Sequence, residues 1–105
     1  MPDEEILSIE IKESDGEVVI TIVGELDPYT SGDLDAVFAG LATPPERVVL
    51  DLAGVGFIDS AGLRVILSAN QLMELRSSRL ILRSPSETAL RILEITALLE
   101  TLTVE

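Results

Sequence analysis

The sequence predicts a mixed α/β fold. One β-sheet, antiparallel where the chain begins and parallel at its centre, packs with about three helices in the order β-β-α-β-α-β-α-(β). Three observations carry this. The opening residues alternate between apolar and polar and then meet a turn signal, which describes a β-hairpin. Short apolar runs recur after it, separated by segments with apolar residues at helical spacing. A strand–helix–strand connection, finally, requires parallel pairing of the strands it joins.

Leu7, Ile9 and Ile11 alternate with Ile6, Ser8, Glu10 and Lys12, giving a first strand with one wet face. Asp15-Gly16 is the hairpin turn, because glycine tolerates the positive φ that a tight turn requires. Val18-Val19-Ile20-Thr21-Ile22-Val23 is almost wholly β-branched and reads as a second, more buried strand. Gly24-Glu25-Leu26-Asp27-Pro28-Tyr29 breaks the pattern as a loop. Thr30 or Ser31 then caps a helix with Asp33 and Asp35 in its first turns and a stripe of Leu34, Val37, Phe38 and Leu41. Thr43-Pro44-Pro45 ends that helix.

Val48-Val49-Leu50-Asp51-Leu52 is a nearly continuous apolar run, the pattern of a central strand covered on both faces. A glycine-containing turn, Ala53-Gly54-Val55-Gly56-Phe57-Ile58, leads into Asp59-Ser60-Ala61-Gly62. A longer helix runs from there to about Arg76, with Leu63, Ile66, Leu67 and Met73 near one face. Leu80-Ile81-Leu82 is another buried strand. Ser84-Pro85-Ser86-Glu87 starts a third helix that reaches about Glu94, and Thr101-Leu102-Thr103-Val104 closes as a last short strand.

At 105 residues the chain is the size of one domain, read as a single unit over residues 1–105 without repeats or linkers. Aromatic residues make up 3%, so the core is aliphatic and little is left for stacking bases or sugars. Seven basic residues against 19 acidic ones give a net charge of −12, which disfavours nucleic acid and anionic membranes as partners. Without cysteine or histidine, the chain has no thiol nucleophile, imidazole base or thiolate metal site. Met1-Pro2-Asp3-Glu4-Glu5 is acidic where a signal peptide is basic, and no apolar run approaches the roughly 18 residues of a membrane span. A cytoplasmic protein with no cofactor and no membrane insertion is expected.

Several motifs suggest a chemistry that their surroundings do not support. Gly54 and Gly56 begin a dinucleotide-type string, but its third glycine would fall on Asp59, whose carboxylate repels an anion. Asp51 resembles the phosphoacceptor of response-regulator receiver domains, yet the only lysine is Lys12, on the opening hairpin; an Asp bonded to neighbouring backbone is the simpler reading. Ser60 follows a strand–turn, as hydrolase nucleophiles do, but Ile58 replaces the preceding glycine and no histidine exists to accept its proton. Two readings of Ser60 stay open. Either Asp59 or Ser60 is merely an N-cap, with small residues letting the helix start close to the sheet, or the hydroxyl is accessible beside free N–H groups that would accommodate a phosphate.

Gly24-Glu25-Leu26-Asp27 with Thr30, the strand Val48–Leu52, Asp59-Ser60-Ala61-Gly62-Leu63, and Ser84-Pro85 with Leu93-Glu94-Ile95-Thr96 occur in the order of a known family. The chain resembles the anti-sigma-factor antagonists, small bacterial STAS-domain proteins. The resemblance implies a non-enzymatic binding protein that docks on an anti-sigma factor, itself a serine kinase, and is released when that kinase phosphorylates Ser60. A serine phosphatase would reset it. The implied partner surface comprises Asp27, Thr30, Asp59, Ser60, Gly62, Leu63 and Arg64. Arg64, one turn past Ser60, either neutralises the phosphate or faces an acidic partner. The alternative from another class is a STAS accessory subunit of a lipid-transporting ABC complex, docked on its ATPase. Two departures mark the C-terminal third: Arg76-Ser77-Ser78-Arg79 lacks the glycines often found there, and Ala97 stands where the family commonly has glycine. Alanine takes a left-handed cap less readily, so the last helix is expected to run on or end differently.

Overall fold

Asp15 and Gly16 turn the chain, Gly16 at φ +71°, and Ser14 pairs with Glu17 across them. The computed structural model describes residues 7–105, so Ile6, placed in the first strand by its alternation, lies outside the described residues. The hairpin comprises β1 (Ser8–Ser14) and β2 (Glu17–Leu26). There follow α1 (Ser31–Ala39), β3 (Arg47–Ile58), α2 (Ser60–Leu75), β4 (Arg79–Arg83), α3 (Glu87–Ile95), a 3₁₀ turn (Leu98–Glu100) and β5 (Thr103–Val104). The strands form one sheet in the order β1-β2-β3-β4-β5, antiparallel between β1 and β2 and parallel thereafter. This is the mixed sheet with three helices that the sequence pattern predicts.

The strand order never reverses, and this settles where the helices go. Right-handed crossovers repeated in one direction place every helix on the same face. Ile20, Val48, Leu50 and Leu82 accordingly share one core with Leu34 and Phe38 of α1, Ile66 and Met73 of α2, and Leu93 of α3. The opposite face carries Val49 and Ile81, which are buried but stand outside that core. Glu17, Arg47, Arg83 and Glu105 lie on this face and pair there: Arg47 Nε with Glu17 Oε1 at 3.0 Å, and Arg83 Nε with Glu105 Oε1 at 3.3 Å. The central run is thus buried on both sides, as expected, but helices cover only one. On the other, long charged side chains lay their aliphatic stems beside the sheet.

Two expected loops turn out to be strand. Gly24, Glu25 and Leu26 continue β2, and Ala53 to Ile58 continue β3. The pairing slips twice: Asp51 to Gly54 lies opposite Thr21 to Val23, and Val55 to Phe57 lies opposite Gly24 to Glu25. Each slip is a bulge that adds a residue to β3, which disrupts the period-two alternation without ending the strand. A Cβ on Gly54 would stand 2.9 Å from Cγ2 of Val23, so the bulged backbone approaches its neighbour too closely for a side chain.

The helices stop through backbone geometry that their sequences disguise. At the end of α2, Ser77 adopts φ +62°, its N–H donates to the Glu74 carbonyl, and the Ser78 N–H reaches the Met73 carbonyl at 2.8 Å. This is a Schellman closure with serine in the place glycine favours. The last helix does not run on: it ends at Ile95, with Ala97 left-handed at φ +61°. The expectation drawn from alanine's cost is therefore corrected. Leu98 packs against the core and Leu102 is buried in it, and the Leu102 N–H donates to the Leu98 carbonyl at 2.9 Å, so tertiary packing outweighs the local penalty. A left-handed residue with a Cβ costs about 1–2 kcal/mol, offset in part by glycine's greater freedom when unfolded. Ser77→Gly and Ala97→Gly are each expected to stabilise the protein by about 0.5–1 kcal/mol, read as a higher urea midpoint with an unchanged slope.

Candidate functional site

The C-terminal ends of β2 and β3 come together at Leu26 and Ile58, a paired and fully buried couple. Immediately beyond, the Asp59 N–H donates to the Leu26 carbonyl at 3.1 Å, which ties the start of α2 to the end of β2. Gly62, in the first turn of α2, is buried against the same residues. A Cβ there would lie 2.8 Å from Leu26 Cβ and 3.1 Å from Ile58 Cγ2. The Asp-Ser-x-Gly spacing is therefore a packing requirement: only a missing side chain lets the helix begin this close to the sheet.

Asp59 is the N-cap. Its Oδ1 accepts from the Ala61 N–H at 2.9 Å and the Gly62 N–H at 3.1 Å, while its carbonyl accepts from the Leu63 N–H at 3.0 Å. The cap reading of the string holds, for Asp59 and not for Ser60. Asp59 does the capping, and Ser60 is left exposed, its hydroxyl in no hydrogen bond among the described residues. The cap also corrects the expectation that free helical N–H groups surround the hydroxyl: those of Ala61, Gly62 and Leu63 are already taken. A phosphate on Ser60 would meet the Asp59 carboxylate, with the Ser60 N–H the one first-turn donor left without a partner among the described residues.

The loop beside it is equally committed. Asp27 Oδ1 accepts from the N–H groups of Tyr29 at 2.9 Å and Thr30 at 3.0 Å, and the Ser31 N–H donates to the Asp27 carbonyl at 2.9 Å. Asp27 thus starts the helical turn that leads into α1, with Pro28 in the first position, where its missing N–H loses nothing. Thr30, expected as the cap of α1, makes no side-chain cap bond; its hydroxyl turns back to the Glu25 carbonyl at 2.6 Å. Thr30 is only 4% exposed and Gly62 is buried, so both shape the surface from beneath. Asp27, Asp59 and Leu63 are half-buried, and Ser60 and Arg64 stand out into solvent.

The remaining candidates fall elsewhere. Asp51 lies within β3, and its carboxylate accepts from the Ala53 N–H at 3.0 Å, the backbone role expected of it. Among the described residues no group of three or more acidic side chains is placed to hold a metal ion. No described helix is long and apolar enough to cross a membrane. A surface cavity of about 450 Å³, lined by Glu46, Arg47, Ser77, Ser78 and Arg79, opens at the starts of β3 and β4, the opposite end of the strands from Ser60. Two residues at the Ser60 end escaped the sequence reading: Tyr29, 91% exposed, and Phe57, 43% exposed. The available signal was scarcity, since the whole chain has only one tyrosine and two phenylalanines.

A sheet of this topology, with an Asp-Ser-x-Gly helix start seated on it through the buried Gly62, defines a class, and the family described as "STAS domain" matches residues 8–105. The chain belongs to the STAS-domain family, among its anti-sigma-factor antagonists. It is 37% identical over 95 residues to the anti-sigma-B factor antagonist of Listeria monocytogenes, covering 88% of this chain and 82% of that protein. The fold is similar to that of an anti-sigma factor antagonist from Mycobacterium paratuberculosis, with a TM-score of 0.83 and 21% identity over 93% of this chain and 84% of that one. It is also similar to the Bacillus cell fate determinant SpoIIAA in its phosphorylated form, with a TM-score of 0.73 and 21% identity over 93% and 91% of the two chains.

The cap and the close approach make separable demands on stability. Asp59→Ala is expected to lower it by about 0.5–2 kcal/mol through loss of the cap. Gly62→Ala is expected to lower it by about 1–3 kcal/mol by forcing α2 away from Leu26. Urea denaturation of both variants checks this, and an unchanged midpoint for Gly62→Ala would contradict the packing account.

Proposed function

We propose that this chain is an anti-sigma-factor antagonist that works as a phosphorylation-controlled binding switch. Unmodified, it docks on an anti-sigma factor through the surface around Ser60 and frees the sigma factor. The same partner, acting as a serine kinase, phosphorylates Ser60 and is released, and a serine phosphatase restores the binding form. The chain is a ligand of its partners and catalyses nothing itself. The observation that carries this reading is the exposed Ser60 hydroxyl, left without an internal bond because Asp59 takes over the capping. The Listeria relative, an anti-sigma-B factor antagonist, supports it, as does a structural neighbour solved in a phosphorylated form.

Electrostatics gives the switch its size. A phosphate adds about −1.5 to −2 charges. Against a partner carboxylate about 5 Å away, a dianion is repelled by roughly 1.7 kcal/mol at the dielectric of water and by about 6–7 kcal/mol at an effective value near 20. Each 1.4 kcal/mol is about tenfold in affinity, so the weaker figure already loosens a complex more than tenfold. The Asp59 carboxylate adds to this field instead of cancelling it, and its hold on the N–H groups of Ala61 and Gly62 keeps those two from neutralising the phosphate. Because Ser60 faces solvent, the modification needs no change of fold.

Ser60→Ala is expected to keep the fold and the affinity for the anti-sigma factor but to resist release by kinase and ATP. Ser60→Asp is expected to bind more weakly. Intact mass after kinase treatment should rise by one phosphate in the wild type and by none in Ser60→Ala. Equal affinities for wild type, Ser60→Asp and phosphorylated protein would rule out the charge mechanism.

A further inference from the structure

Tyr29 is difficult to account for by folding alone. It is the most exposed large apolar side chain among those described, at 91%, and its hydroxyl makes no hydrogen bond within the described residues. Yet the backbone that carries it is tied down by hydrogen bonds. Pro28 precedes it and restricts φ, its own N–H is held by Asp27 Oδ1 at 2.9 Å, and the next residue, Thr30, is buried with its hydroxyl on Glu25. A rigid loop thus holds a free aromatic ring at the same end of the sheet as Ser60. The two sites are joined through Leu26, which precedes the loop and accepts the Asp59 N–H.

Such a ring suits an interface anchor. A tyrosine presents a large amphipathic area and has few rotatable bonds to immobilise, and a pre-organised backbone reduces the ordering that binding requires. Residues 25–35, and the 57–64 segment tied to them by the Asp59–Leu26 hydrogen bond, carry Glu25, Asp27, Asp33, Asp35 and Asp59 against the single cation Arg64. A surface that receives this ring therefore has an apolar pocket with a basic rim. Such a rim favours docking on the unmodified chain and specifies its orientation.

We infer that Tyr29 is the affinity anchor by which the Ser60 end of this chain holds its protein partner, the ring entering an apolar pocket with a basic rim on the anti-sigma factor. The inference rests on the binding switch proposed above and adds a separation of tasks to it. Tyr29 supplies binding in every state, and Ser60 sets whether that binding survives.

The experiment titrates the purified anti-sigma factor of the source organism with wild type, Tyr29→Ala, Tyr29→Phe, Leu75→Ala and Ser60→Asp. Leu75 is 82% exposed at the far end of α2, about 22 Å along the helix from Ser60, and serves as the control for losing an exposed apolar side chain. Tyr29→Ala should weaken binding about 30-fold or more, the size expected of a hot spot, while circular dichroism and the urea midpoint stay at wild-type values. Tyr29→Phe should stay within about threefold of wild type, and Leu75→Ala should be unchanged. Tyr29→Ala should also raise the KM of the kinase for this protein while leaving its saturated rate intact, because the anchor lies away from the transferred phosphate. Near-wild-type binding by Tyr29→Ala, alongside weakened Ser60→Asp, would overturn the anchor and leave the switch standing. Tyr29→Phe falling as far as Tyr29→Ala would overturn the apolar pocket. No binding by the wild type, or equal binding by Ser60→Asp, would remove the proposed function and the anchor with it.

Discussion

The start of α2 is seated directly on the end of β2, and most of what this chain presents to a partner follows from that contact. The contact is held by one backbone hydrogen bond, from Asp59 to Leu26, and by the bare Cα of Gly62 lying over Leu26 and Ile58. With the helix set this low, the cap must come from the residue before it, and the Asp59 carboxylate closes over the N–H groups of Ala61 and Gly62. The serine between cap and helix is then left without structural duty. Its availability is a consequence of its neighbours' commitments.

The same economy governs the adjoining loop. Asp27 and Thr30 spend their polar atoms on the backbone of residues 25–31, which leaves Tyr29 pointing outward from a fixed frame. Polar residues that look like a binding surface in the sequence are therefore largely its scaffold. The outward groups are Ser60, Arg64 and two aromatics, and half-buried carboxylates set the potential around them. An added phosphate enters a region that is already negative and where the N–H groups of Ala61, Gly62 and Leu63 are occupied, so most of its charge acts outward.

The sheet's single orientation of crossovers contributes in a different way. Because each parallel step moves in the same direction, α1, α2 and α3 crowd one face and the strand order has no reversal point, where open α/β sheets form nucleotide crevices. The other face closes with ion pairs and long side chains over Val49 and Ile81. At the rim formed by the strands' C-terminal ends, the two bulges in β3 lead to an exposed Phe57 and a half-buried Asp59.

Period and composition alone determined the element order, the opening hairpin at Asp15-Gly16, the aliphatic core and the buried runs of β3 and β4, because these depend on local preference and on which residues avoid water. They also marked Asp59-Ser60-Ala61-Gly62 as a helix start. They did not determine that Gly24–Leu26 and Ala53–Ile58 are strand, because a bulge disrupts alternation while cross-strand pairing, a non-local term, keeps the chain extended. Nor did they determine where α3 ends: Ala97 carries a local penalty that the packing of Leu98 and Leu102 outweighs. The split of roles between Asp59 and Ser60, and the burial of Thr30 against the exposure of Tyr29, were likewise decided only by tertiary structure. Which of two adjacent polar groups faces the solvent depends on where neighbouring strands place their carbonyls, and that is fixed when the sheet and the helices meet.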